Sequence, residues 1–414
     1  MRKKSIAVLE RPVFLVMLLF IYIYNYQSAG FGNTITNGLI LLFIGIEFLV
    51  VVGYGGKMLC DKPLNSYIFF LLSCMLSVTY SFAPKDSFAK VKTLLILVVF
   101  LYAMMEFLRC EKNLCFMLRS ISWSAIIAGI YLLLKSDWAN GSRMNGVIGD
   151  SNQVGAYLAY SLTIILYCWK KKLLSAWVSF PAMALLLVVS ILSGSRSSLV
   201  ITLLSIGFFL LSTIPHDRYK PLKLLLLLFC GIALLFFLVY LVMTNALLYK
   251  IIGSRFVSFF EIMRGGDSSI QEYSTIERTW MRELAWAKFT ESVQTVCWGN
   301  GISYFNAYFL SIGGRYCFCH NNYFELLSGI GVIGTGFYYF PYILTGYYGL
   351  LGRRTGYKLE AITVLILLMQ IFLMHWFVVF YYQKLEFVFI SLLICFGRIL
   401  KKQHDTEGRV YVGV

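Results

Sequence analysis

The chain has 414 residues, 59% of them hydrophobic and 14% charged, with a mean hydropathy of +0.74. No soluble domain of this length needs so much apolar surface, so the composition excludes soluble enzymes and adaptors and points to one polytopic membrane domain over 1–414. The formal charge of +16, from 36 basic and 20 acidic residues, reads as membrane topology rather than nucleic-acid binding, because the basic residues flank apolar runs.

In chain order, about twelve apolar runs reach the ~20 residues that a helix needs to cross a bilayer. They predict spans over 12–31, 35–55, 64–83, 91–108, 114–134, 152–169, 173–192, 197–214, 221–243, 320–350, 359–380 and 383–400. The first follows Arg2, Lys3, Lys4 and Arg11 without a small-residue cleavage site, and reads as a retained helix. The tenth is too long for one straight crossing; it begins on the loop side or tilts. With the N-terminus in the cytoplasm, most basic clusters fall on that side, from Arg2–Arg11 through Lys170-Lys171-Lys172 to Arg398, Lys401 and Lys402. Both termini are then cytoplasmic. The segment 244–319, between the ninth and tenth spans, becomes a long extracytoplasmic loop.

That loop carries Ser274-Thr275-Ile276-Glu277, a capping-box pattern. Ile276, Trp280, Leu284 and Ala287 follow at helical spacing and predict an amphipathic helix over 275–291, with that face on the membrane interface or over a cavity. Arg278 and Arg282 lie one turn apart on a neighbouring face.

The polar residues gather on the same outer side. Arg143 sits in Gly141-Ser142-Arg143-Met144-Asn145-Gly146, ahead of Asn152. Arg196 sits in Ser193-Gly194-Ser195-Arg196. His320 opens His320-Asn321-Asn322-Tyr323-Phe324-Glu325, and is one of only 4 histidines. Guanidinium groups suit phosphate oxygens, and an imidazole can take a proton from an attacking hydroxyl. Each residue also has a plainer reading. Arg143 and Arg196 fit snorkelling anchors, Arg278 a solvated helix face, and His320 a neighbour of a helix cap at Asn321 or Asn322. Glu325, one turn into the span, can orient His320 or pair with an arginine. Glu47, the deepest acid, fits a contact to a neighbouring helix.

Other chemistries find no support. There is no Walker A pattern, no G-x-S-x-G elbow, and no acidic pair for a metal-dependent nucleotide-sugar enzyme. Cys317-Phe318-Cys319-His320 is poorly spaced for zinc. If the loop faces an oxidising space, Cys297 has Cys317 or Cys319 as a disulfide partner. A flippase or transporter would show repeat symmetry or broken helices at the midplane, and neither is evident.

Several residues occur in a familiar order. Arg143, Gly146 and Asn152 come first, then Ser193 to Arg196. Glu277, Arg278 and Trp286 follow in the loop, then Gly299-Asn300-Gly301, and finally His320, Asn321 and Glu325. The chain resembles the O-antigen ligase and polymerase superfamily of bacterial envelope polysaccharide assembly, most densely over 141–337. The resemblance implies a GT-C-like glycosyltransferase of the cytoplasmic (inner) membrane, with an undecaprenyl-pyrophosphate-linked oligosaccharide as donor. His320 would activate the acceptor hydroxyl. Arg143, Arg196 and Arg278, with Arg282 as a rival to Arg278, would bind the pyrophosphate, and Asn152, Asn321 and Glu325 would complete the site. No metal or cofactor is implied, and attack opposite the leaving group predicts inversion. The leading expectation is a polymerase of capsule or O-antigen repeat units, working beside a flippase and a chain-length regulator. The alternative is a ligase that moves a lipid-linked glycan to lipid A core or another acceptor.

Overall fold

A computed structural model of the chain describes residues 13–21, 23, 30–53, 61–136, 151–214, 220–254, 257, 273–353 and 356–412. Among these, each predicted span overlaps a helix, though the helices stop short of several predicted bounds, as at Val78 and His375. The helices are α1 (13–21), α2 (Gly30–Gly53), α3 (Lys62–Val78), α4 (Pro84–Phe107), α5 (Glu111–Lys135), α6 (Ser151–Lys170), α7 (Ala176–Leu192), α8 (Arg196–Thr213) and α9 (Lys220–Thr244). The loop region adds α10 (Tyr273–Phe289), α11 (Val293–Trp298) and α12 (Tyr304–Ser311), and the chain continues through α13 (Asn322–Gly352), α14 (Lys358–His375) and α15 (Lys384–Val412). No strand occurs among the described residues.

The protein is a multi-pass helical membrane protein. Among the described residues, 6 helices are long and apolar enough to cross a bilayer: α2, α4, α5, α8, α13 and α14, with α3 and α7 as shorter apolar helices. Their outward faces carry large exposed apolar side chains such as Leu41, Phe48 and Leu49 on α2 and Val200, Leu204 and Phe208 on α8. Such faces are stable only against lipid or protein. By contrast α6 is buried almost throughout from Ser151 to Cys168, an interior helix packed on α5, α7, α8 and α14.

α13 is the hub. It packs on α3, α14 and α15 along its length and on α10 and α11 near its start. Its 31 residues contain one non-helical position, Gly331, at φ 64° and ψ −173°. The break resolves the excess length of the tenth predicted span. A short helix precedes Gly331, and the stretch after it is of ordinary crossing length. Only glycine fits there: a Cβ on Gly331 would lie 2.3 Å from the Cys297 carbonyl oxygen. Gly331→Ala should lower stability by about 2–5 kcal/mol, combining backbone strain with overpacking. The expected result is a clear fall in the thermal midpoint of the purified protein in scanning fluorimetry.

The loop helix α10 covers most of 275–291, but it already includes Tyr273, so Ser274 lies inside it rather than at its N-cap, and its packing face differs from expectation. Met281, Ala285 and Phe289 are buried, the first two against Phe305, Phe309 and Cys319. Ile276 and Trp280 are exposed, as is Ala287. The helix has two apolar sides, and the less obvious one, spaced four apart, packs inward. Arg278 and Arg282 flank this inward side at 100° per residue and are half-buried, so neither lies on a solvated face. Glu47 is buried on α2, near enough to Glu106 of α4 to feel its charge, while Glu106 pairs with Arg109.

Candidate functional site

One end of the bundle brings together several short segments. The first joint is between α6 and α8. Asn152 is buried in the first turn of α6, and its Oδ1 accepts from Ser195 Oγ at 2.9 Å. Ser195 is in turn the N-cap of α8, its side chain accepting from the Ser198 N–H. The two helix starts approach this closely because residue 155 is glycine; a Cβ there would lie 2.3 Å from Ser198 Oγ. Ser-Gly-Ser-Arg thus presents Arg196 as the first residue of α8, half-buried beside Asn152's own helix.

The second joint holds His320. Its φ of 54° is left-handed, a conformation that costs a non-glycine residue of order 1–3 kcal/mol and persists only when neighbours impose it. On the preceding side, the Cys319 N–H donates to Glu325 Oε2 at 3.0 Å, and Cys319 Sγ donates to the Asn321 carbonyl at 3.1 Å. On the following side, Asn321 caps α13. Its Oδ1 accepts from the Tyr323 and Phe324 N–H groups, and its Nδ2 donates to the Trp376 carbonyl at 3.2 Å. All of Asn321's side-chain groups are therefore engaged by the fold.

Asn322 performs a related task with a different segment. Its Oδ1 accepts from the N–H groups of Phe380 and Tyr381 in the α14–α15 turn. Its Nδ2 donates to Tyr339 Oη at 2.8 Å. Tyr339 lies 3.0 Å from His375 Nδ1, and His375 Nε2 lies 3.2 Å from Glu386 Oε1, which also accepts from Tyr342 Oη at 2.8 Å. A buried polar chain thus runs from the start of α13 to α15 and fixes the turn beside His320.

Glu325 is fully enclosed beneath this backbone. One oxygen holds Cys319, and the other, Oε1, has no hydrogen-bond partner among the described residues. Of the two roles open to Glu325, the geometry favours orienting the His320 segment. Glu325→Ala should cut turnover about a hundredfold through misplacement of His320, whereas Glu325→Gln, which keeps an acceptor for the Cys319 N–H, should cost far less. The check is kcat for both variants at matched thermal stability.

The arginines separate by their contacts. Arg196 and Arg278 stand close enough that their like charges oppose one another, an arrangement suited to a polyanion between or beside them. Glu277, next to Arg278 in the chain, pairs with Arg315 at 2.9 Å, which ties the segment before His320 to α10. Arg282 is held differently. Its Nε donates to the Arg278 carbonyl, its Nη2 to Thr279 Oγ1, and its guanidinium lies 5.8 Å from the Trp376 ring centroid. Arg143 lies outside the described residues.

The Gly299-Asn300-Gly301 string is a structural joint. The Asn300 and Gly301 N–H groups donate to the Ser328 and Gly329 carbonyls at 2.9 and 2.8 Å. A Cβ on Gly299 would meet the Gly329 backbone at 2.4 Å. The α3–α4 turn locks onto the same string: Tyr80 Oη donates to the Trp298 carbonyl and the Ile302 N–H to Ser77 Oγ. Cys297, Cys317 and Cys319 are all free thiols, so neither of the two pairings open to Cys297 is formed; burial pushes the Cys319 thiol well above its usual range, and its proton bonds the Asn321 carbonyl.

Sequence reasoning missed two of these segments. Lys90 lies in α4 beyond the α3–α4 turn, and the span predicted over 359–380 ends at His375, which leaves Trp376 and Tyr382 in the α14–α15 turn. The signal was there in the short aromatic and basic run Trp376 to Lys384, which is richer than a connector needs.

Fold and site together define a multi-span membrane protein with neighbouring arginines and a strained, half-buried histidine at one end of its helix bundle. Residues 181–339 match the family model described as O-antigen ligase, which supports the resemblance drawn from the sequence. The match runs from α7 to the middle of α13 and contains Arg196, Arg278, Arg282, His320, Asn321 and Glu325. No curated protein matches the chain.

Proposed function

We propose that the protein is a polysaccharide polymerase. It joins polyprenyl-pyrophosphate-linked repeat units of a capsule or O-antigen at the outer face of the bacterial cytoplasmic membrane. The observations that carry this reading are that Arg196 feels the like charge of Arg278 and that His320 is held left-handed. His320 takes the proton of the acceptor hydroxyl as its oxygen attacks the anomeric carbon. The bond from that carbon to the pyrophosphate oxygen breaks, and the electron pair leaves with the pyrophosphate. Charge grows on the leaving group during the step, so fixed guanidiniums stabilise the transition state more than the ground state. Attack opposite the leaving group inverts the sugar carbon.

Cationic side chains supply the charge neutralisation that a divalent ion gives other glycosyl transferases. Excess EDTA should therefore leave the rate unchanged within about twofold in a cell-free assay, and loss of activity restored by a divalent ion would contradict the mechanism. The described family name favours a second reading, ligase transfer to lipid A core or another acceptor. A defined lipid-linked repeat, supplied alone to the purified protein, separates them. A product ladder supports the polymerase; product formed only after a second acceptor is added supports the ligase.

A further inference from the structure

Lys90 lies in α4, far from the family-matched segment in sequence, yet its ammonium sits beside the segment that leads to His320. Nζ is 3.6 Å from the Tyr382 ring centroid, 4.9 Å from that of Phe318 and 5.9 Å from that of Tyr381. Phe318 and Tyr382 stack on each other at 4.9 Å, which joins the segment two residues before His320 to the α14–α15 turn. Tyr381 is itself pinned by Asn322. The ring faces hold the cation by attraction to its charge, a mode that needs no acceptor oxygen, so an N–H not aimed at a ring stays available. Glu325 and Asp86 exert their negative charge on Lys90, but among the described residues neither forms an ion pair or hydrogen bond with it. Neighbouring cations are arranged otherwise: Lys288 is bonded to Glu291, Arg315 to Glu277, and Arg282 to Arg278 and Thr279. A half-buried ammonium with available donors, fixed on a rigid pedestal beside the reacting group, has the chemistry of an oxyanion subsite.

We propose that Lys90, seated on Tyr382 and Phe318, binds a carboxylate or phosphate carried by the glycan substrate, separately from the pyrophosphate at Arg196 and Arg278. The assignment to the glycan rests on the proposed function above. It implies that the repeat unit is anionic near the sugar being joined.

The test is ligand-observed NMR titration of the full chain in phosphatidylcholine nanodiscs with a glucuronate-containing disaccharide, inorganic phosphate and neutral maltose. Wild type should bind the disaccharide acid, the phosphate or both, and maltose much more weakly. Lys90→Met should weaken the anion at least tenfold, and Lys90→Arg should restore it. Tyr382→Leu, which keeps the charge and removes the pedestal, should weaken it by an intermediate factor and answers the question if Lys90→Met does not fold. Equal affinity in wild type and Lys90→Met would overturn the proposal. So would anion binding lost in Arg196→Met but kept in Lys90→Met, or Lys90-dependent binding of maltose as strong as that of the acids. Nanodiscs containing phosphatidylglycerol should leave the response unchanged, and competition by that lipid would assign the site to a headgroup and overturn the glycan assignment. The readout needs no turnover, so failure of the His320 chemistry and failure of this subsite are seen separately.

Discussion

His320→Ala is expected to abolish glycan transfer, with a loss of about a hundred- to ten-thousandfold in kcat, the range for removing a general base. The substitution alone is ambiguous, because position 320 is left-handed at φ 54° and alanine is disfavoured there. His320→Asn and His320→Gly remove the ambiguity. Asparagine and glycine both accept the left-handed region, so either preserves the turn between Cys319 and the cap Asn321. Neither can take up a proton. All three variants should therefore be inactive while lipid-linked precursor still accumulates at the membrane, and the Asn and Gly variants should keep their thermal midpoint. Turnover retained in His320→Asn would reduce His320 to a turn residue.

Arg196→Lys is the second large effect. Lysine keeps the positive charge but replaces a planar fork with a point donor. A pyrophosphate gripped in two places then loses one grip. The expected loss is about ten- to a hundredfold in kcat with a smaller change in KM, because the interaction strengthens as charge builds on the leaving group. Arg278→Lys should behave in the same way, since Arg278 is the charge that Arg196 feels. Arg282→Lys should not. Its guanidinium is engaged by the Arg278 carbonyl, Thr279 and the Trp376 ring, so its replacement should appear mainly in thermal stability. Side-by-side kinetics and melting curves of the three lysine variants assign the loop arginine. Near-normal kcat in Arg196→Lys would return Arg196 to an interfacial anchor.

The helical class was legible because hydropathy over ~20 residues is a local property, and each apolar run overlaps a helix among the described residues. The break in α13 was legible only as an excess of length. Its position depends on Gly331 meeting the Cys297 backbone, a contact between residues far apart in the chain. The α10 helix was visible in Ser274 to Glu277 and the following apolar spacing, but not its orientation. With apolar residues on both sides, only the tertiary partners Phe305, Phe309 and Cys319 decide which side packs. At the site, the residue types that bear charge stood out singly, and the close approach of α6 to α8 through Gly155 explains how Asn152 and Ser195 meet. The sequence offered no sign that Asn321 and Asn322 divide their labour, one capping α13 and the other clamping the 380–381 turn. Lys90 stayed hidden because a lysine at a span boundary is so often a topological marker, and its aromatic pedestal is built from two other segments.

The central claim is that this end of the bundle transfers sugar from a lipid pyrophosphate with His320 as base and Arg196 and Arg278 on the leaving group. It is tested most directly by incubating the purified protein with a synthetic polyprenyl-pyrophosphate-linked repeat and identifying the lipid released. The account predicts polyprenyl pyrophosphate in step with new glycosidic bonds of inverted configuration, in the presence of EDTA, and none from His320→Asn. Release of polyprenyl monophosphate, retention of configuration, or undiminished release by His320→Asn would contradict it.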